Sequence, residues 1–170
     1  MNLLLKYLSL CLFRNNPIDL VPPNSFMWKV VAFYLVSGII VESLIADPAD
    51  GTLEVSLRTI MAFSTIAVLL LVMKKWQYYN RVFTAIFVCE NLIMTLATIT
   101  EALYFWMVMK HYEYSEEVSI AIGVVLVLWY LAIVGYIFRQ FFSFKISLSI
   151  ILAVGYFVMT YGIPMMFMDM

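Results

Sequence analysis

From Val82 to Met109 the chain reads VFTAIFVCENLIMTLATITEALYFWMVM. The stretch is apolar almost throughout, has no glycine or proline, and shows no two-residue alternation. About 20 residues rising 1.5 Å each cross about 30 Å of hydrocarbon, so it reads as a membrane-spanning helix. Its length allows it to tilt or to project beyond the bilayer. Four more runs read the same way: Ser25 to Leu44, Leu53 to Met73, Val118 to Phe138 and Ser143 to Met166, with Pro164 near the end of the last. Asn24 and Ser25, after Pro22 and Pro23, are candidate caps for the first. The links are short and no repeat or low-complexity segment appears. The expected fold is an all-α polytopic membrane bundle: one domain of five transmembrane helices over residues 25–166, entered through an amphipathic interfacial helix in residues 1–24. A barrel would need alternating strands.

Composition agrees. Of 170 residues, 65% are hydrophobic and 12% charged, against about 25% charged in soluble domains. A chain this short cannot hide so much apolar surface in one aqueous core. A net charge of -1 offers no basic surface for nucleic acid. Cys11 and Cys89 lie in separate apolar stretches, so no disulfide is expected between them. His111 is the sole histidine, which argues against zinc, haem or iron–sulfur ligation. No cofactor or metal is expected.

The opening residues, MNLLLKYLSLCLF, are too short to span and end at Asn15, Asn16 and Pro17. Asn2, Lys6 and Ser9 share one helical face, and Leu3, Leu4, Leu5, Leu8 and Leu12 cover much of the rest. That pattern predicts a helix lying in the membrane interface. The alternative is a lipoprotein-type signal peptide ahead of Cys11. Against it stand the missing basic n-region and the missing small residue before Cys11.

Basic residues favour the cytoplasmic side. With the N-terminus inside, that side holds Lys6, Arg14, Lys29, Lys74, Lys75, Arg81, Arg139 and Lys145, eight in all, and the far side only Arg58 and Lys110. The far loops are acidic, with Asp47, Asp50 and Glu54 in one and Glu113, Glu116 and Glu117 in the other. The expected placement is a bacterial inner membrane, N-terminus in and C-terminus out. A eukaryotic secretory membrane would give the same bias. Trp28, Trp76, Tyr78 and Tyr79 on the inner side, and Trp106, Tyr112 and Tyr114 on the outer, suit the headgroup level. Phe138, Phe141, Phe142 and Phe144 crowd the last inner turn and are expected to dip back into lipid.

Glu90 and Glu101 are the sharpest chemical signal, because a carboxylate in hydrocarbon is costly and is usually turned toward protein or water. Eleven positions apart, they share a helical face and are separated by roughly 16 Å along the axis. Asn91, Thr95 and Thr98 lie beside that face and complete a polar stripe. One reading is a proton or ion path. The favoured reading is a helix–helix seam held by hydrogen bonds, since a transporter ordinarily has more intramembrane polar groups, broken helices and an internal repeat. Glu42 and Arg58 lie near the outer interface, free to reach water or to pair with each other or with Glu101. Lys29 can snorkel to the inner surface. Lys74, Lys75 and Arg81, in a basic aromatic loop, are candidates for anionic headgroups, and serve equally as a positive-inside stop signal. Asp47-Pro48-Ala49-Asp50-Gly51 reads as a turn and does not match a calcium loop.

Signatures of catalysis are missing: no Gly-rich phosphate loop, H-E-x-x-H or G-x-S-x-G, and no His or Asp within the spans. A conventional triad has no base to use. The chain is expected not to be an enzyme.

Three features resemble the Yip family of five-span membrane proteins linked to vesicle trafficking. They are the polar-proline entry Phe13-Arg14-Asn15-Asn16-Pro17, the five-span layout with N-in, C-out topology, and the closing pair of helices. In that pair, Trp129-Tyr130 and Gly135-Tyr136 precede a Phe-rich basic turn, then Ala153 and Gly155-Tyr156. The D-L-Y-G-P signature and a long soluble N-terminal region are lacking, which leaves GTPase binding without a basis. The resemblance implies a non-enzymatic adaptor or scaffold, with lipids and other membrane proteins or further copies of itself as partners. The second expectation is a proton-linked or small-solute transporter, or its accessory subunit, using Glu90 and Glu101.

Overall fold

A computed structural model describes residues 3–45 and 47–168. Asn2, placed above on the polar face of the first helix, lies outside them. The described chain is helical, without strands. A short helix α1 (Leu3–Cys11) and a 3₁₀ turn at Pro17–Asp19 lead into α2 (Asn24–Ile45), α3 (Pro48–Val72), α4 (Tyr79–Met109) and α5 (Ser115–Phe142). The last span is composite: α6 (Ile146–Phe157), a π-helical turn (Val158–Gly162) and α7 (Ile163–Met168). Five helices are therefore long and apolar enough to cross a membrane.

Local chemistry moves some boundaries. The Asp47 stretch is the start of α3 rather than a free turn. Asp47 Oδ1 accepts from the Ala49 N–H at 2.9 Å, and Pro48 occupies the first helical position, where its missing N–H costs nothing. At α2 the first carbonyl used is that of Pro23, which accepts from Phe26 at 2.9 Å. Asn24 does not cap with its side chain; its Oδ1 accepts from Asn80 Nδ2 at 2.8 Å. Gly51 allows α3 to approach α2. A Cβ there would lie 3.0 Å from the Glu42 carbonyl carbon and from the Ser43 nitrogen.

The centre of the bundle is α4, which packs against α1, α2, α3 and α5. Every residue from Val82 to Asn91 is buried, so neighbours surround this half on all sides. From Leu92 onward α4 is only partly covered, and its last turns are exposed. The bundle is thus closed at the Lys75 end and splayed at the Asp47 end. In the closed half Phe83 stacks between Phe63 (ring centroids 4.1 Å) and Phe87 (4.2 Å). Phe138, Phe141 and Phe142 also turn into the protein, at 0%, 3% and 6% exposure. This corrects the expectation that they dip into lipid; Phe144, named with them, is half-buried and stacks on Phe142 with centroids 5.3 Å apart.

Helix α1 packs one face on the protein and leaves the other exposed. Tyr7, Leu10 and Cys11 are fully buried, while Leu4, Leu5 and Leu12 are exposed. Burial pushes the Tyr7 phenol up, well above its ordinary value. Three side chains fasten the entry segment by its backbone. Trp129 Nε1 donates to the Cys11 carbonyl (3.1 Å), the Tyr136 hydroxyl to that of Asn15 (3.3 Å) and Arg81 Nη1 to that of Ile18 (3.0 Å).

Candidate functional site

Glu90 lies at the boundary between the two halves of α4. It is 3% exposed. Its Oε1 accepts from the hydroxyl of Tyr34 on α2 at 3.2 Å and from that of Tyr161 at 2.6 Å. The second distance is typical of a short, charge-assisted bond. Tyr161 sits in the π-helical turn, which widens the helix and re-phases the side chains that follow. Such turns are frequent at functional sites. Glu90 Oε2 and the hydroxyls of Tyr130 and Tyr156, all buried, have no hydrogen-bond partner among the described residues. Tyr130 stands edge-on to Tyr161, with centroids 6.2 Å apart.

Above Tyr161 lies a cation. The Arg58 guanidinium is 5.0 Å from the Tyr161 ring centroid, a geometry in which the ring's negative face attracts it. Arg58 Nη1 donates to Glu42 Oε1 at 2.8 Å, and Nη2 donates to Glu54 Oε1. Arg58 and Glu42 therefore pair with each other, one of the three outcomes expected, and Glu54 completes a fork. The planar guanidinium is the side chain suited to bridging two carboxylates.

A cavity of about 340 Å³ fills the splayed half of the bundle. Tyr34, Tyr130 and Tyr161 line it, as do Arg58, Glu42 and Glu101. The rest of the wall is apolar, from residues such as Ile93, Met94 and Leu126. Small-molecule sites share this make-up: hundreds of cubic ångströms, apolar walls and a few converging polar groups. The Phe63, Phe83 and Phe87 stack occupies the closed half beyond Glu90.

The polar stripe does not act as one unit. Glu90 and Asn91 reach other helices, Asn91 Nδ2 donating to the Val30 carbonyl of α2 at 3.1 Å. Thr95 and Thr98 donate to carbonyls of their own helix, those of Asn91 (2.7 Å) and Met94 (2.9 Å), a common resting place for a helical hydroxyl. Glu101 is exposed, at the rim of the cavity whose inner wall holds Glu90's two donors. Of the candidate headgroup residues, Lys75 donates to the Phe141 carbonyl at 2.7 Å and Arg81 is tied to Ile18. Lys74 is exposed.

Tyr34, Tyr130, Tyr161, Glu54 and Gly123 join the site without having been singled out for it from sequence. The available signal was weak: Tyr161 is flanked by Thr160 and Gly162 two residues before Pro164, a local break in an apolar span. No group of three or more His, Cys, Asp or Glu that could hold a metal occurs among the described residues. No family model matches the chain, and no curated protein or solved structure matches it.

Proposed function

We propose that this chain is a non-enzymatic integral membrane carrier, N-terminus inside, that takes a small solute into the cavity from the outer side and couples its passage to a proton on Glu90. One observation carries the reading: a buried carboxylate with a free oxygen lies directly behind two tyrosines that form the inner wall of a ligand-sized cavity. The Tyr130 hydroxyl, also without a partner among the described residues, lines the same cavity, so two unpaired buried oxygens lie in or behind its wall. The π-helical turn supplies the irregular backbone that transporters place beside their sites. The eight-to-two bias of basic residues supports the orientation, in a bacterial inner membrane.

The test is proton movement in proteoliposomes carrying an internal pH-sensitive dye, challenged with a panel of cationic, anionic and neutral solutes. At least one class should trigger proton movement, and Glu90→Gln should abolish it. A panel without effect, or a response unchanged in Glu90→Gln, refutes the carrier.

The second reading is a Yip-like adaptor or scaffold, bound to other membrane proteins or to itself. It is favoured by the bonds that Glu90 and Asn91 make to other helices, which suit a packing seam. A stoichiometric partner recovered in mild detergent, together with wild-type recovery of that partner by Glu90→Gln, would support it over the carrier.

A further inference from the structure

Granting the carrier reading, we infer that the cavity selects a lipophilic organic ammonium, an amine cation with an apolar body. The first reason is charge. Among the described residues lining the cavity Arg58 is the only cation, and it is already overmatched by Glu42 and Glu54, both bonded to it. Glu101 at the rim and Glu90 behind the inner wall form no salt bridge among the described residues. Glu42 and Glu101 line the cavity with Arg58, and Glu54 is bonded to that Arg58, so three carboxylates face one guanidinium before Glu90 is counted. An anionic solute would meet this excess, and the one group that could attract it is held in a two-carboxylate fork.

The second reason is the wall. Tyr34, Tyr130 and Tyr161 line the cavity. One of them, Tyr161, already has a cation over its face. Aromatic faces bind organic cations by the same attraction. The apolar remainder of the wall disfavours a strongly hydrated inorganic ion, which would have to shed water without replacement ligands. An amine with an apolar body loses little there.

The third reason is the unpartnered acceptors. Tyr130, 3% exposed, lines the cavity and its hydroxyl oxygen has no partner among the described residues. Glu90 Oε2 is in the same condition. An ammonium N–H in the cavity is the donor the Tyr130 oxygen lacks; Glu90 does not line the cavity and meets the cation only as a charge behind Tyr34 and Tyr161. The exchange of proton for amine balances when the Glu90 carboxyl O–H breaks, its proton passes to water in the open cavity, and the carboxylate left behind is the counter-charge of the entering ammonium.

Three soluble probes of like size separate the possibilities: phenethylammonium, phenethyl alcohol and 3-phenylpropionate, each titrated calorimetrically into the purified protein in nanodiscs. Phenethylammonium should bind saturably, and the other two at least tenfold more weakly. Glu90→Gln and Glu101→Gln should each weaken the amine roughly tenfold, about 1.4 kcal/mol. Gly123 gives a variant that narrows the cavity, because it lines the cavity and a Cβ there meets nothing within 4 Å. Gly123→Leu should remove amine binding while the protein remains monodisperse. Equal binding of the alcohol overturns the inference, since the cavity would then read shape and not charge. Preferential binding of 3-phenylpropionate, lost in Arg58→Met, overturns it in favour of an anion. If no probe binds but a panel solute still drives protons, the ammonium class falls and the carrier stands. If the amine binds and no solute drives protons, the site stands and the carrier falls.

Discussion

Removing the Tyr161 hydroxyl should destabilise the protein more than removing that of Tyr34, although both donate to the same oxygen of Glu90. The reason is geometric. At 2.6 Å the Tyr161 bond lies in the range of charge-assisted O–H···O⁻ contacts, whereas at 3.2 Å the Tyr34 bond is longer than the usual O–H···O range. Interhelical hydrogen bonds in membranes average about 0.6 kcal/mol and reach about 1.7. Tyr161→Phe should therefore cost about 1.5 kcal/mol and Tyr34→Phe about 0.5. Phenylalanine keeps the ring, so the stack on Phe157 at 5.0 Å and the face beneath Arg58 are retained. The measurement reads the hydroxyl alone. Reversible unfolding in mixed micelles, followed by tryptophan fluorescence, gives the free energies. Repeating both substitutions in a Glu90→Leu background closes the cycle, and there the Tyr161 cost should fall to near zero. If Tyr34→Phe costs as much as Tyr161→Phe, or the Tyr161 cost persists without Glu90, the hydrogen-bond account of the site is wrong.

Four further outcomes follow from separate contacts. Gly51→Ala should lower stability by about 1–2 kcal/mol, because the new Cβ meets α2 backbone; the matched Gly123→Ala, with open space around it, should be neutral or stabilising by up to about 1 kcal/mol, both read in the same unfolding assay. Arg58→Lys should fail to restore wild-type thermal stability, since one ammonium cannot fork between Glu42 and Glu54; full recovery would show that charge alone suffices. Tyr7→Phe should be neutral or stabilising by about 0.5–1 kcal/mol, because it removes a buried hydroxyl without a partner, and a clear loss would reveal a bond to that oxygen. Engineered cysteines at Asp47 and Glu116 should react with an impermeant thiol reagent from outside intact cells, and one at Lys74 should not; the reverse pattern inverts the topology.

Hydropathy alone was enough to find the five spans, because each is a continuous apolar run and lipid demands little else of a helix. Helix ends were harder. Asp47 and Pro48 are both turn formers and helix starters, and only the following backbone decides between the roles. The same limit separated the two parts of the site. Glu90 stood out as a charge in hydrocarbon, and Asn91 as its polar neighbour. Tyr34, Tyr130 and Tyr161 did not, because a tyrosine in an apolar span is compatible with lipid, core or interface. What makes them a site is the meeting of α2, α5 and the π-helical turn around α4, which arises only in three dimensions. Thr95 and Thr98 show the converse: their spacing placed them on a shared stripe, yet their hydroxyls return to their own helix.

The fastening of the entry segment has a consequence for biosynthesis. Residues 11–18 are held by Arg81, Trp129 and Tyr136, so this segment waits for partners synthesised later, Arg81 63 residues after its acceptor and Trp129 and Tyr136 118 and 121 residues after theirs. Until α5 is inserted, the exposed leucines of α1 can hold that segment at the bilayer surface. Its seating then marks the completion of the fourth crossing, and a chain truncated before Trp129 would lack two of the three side chains that fasten it.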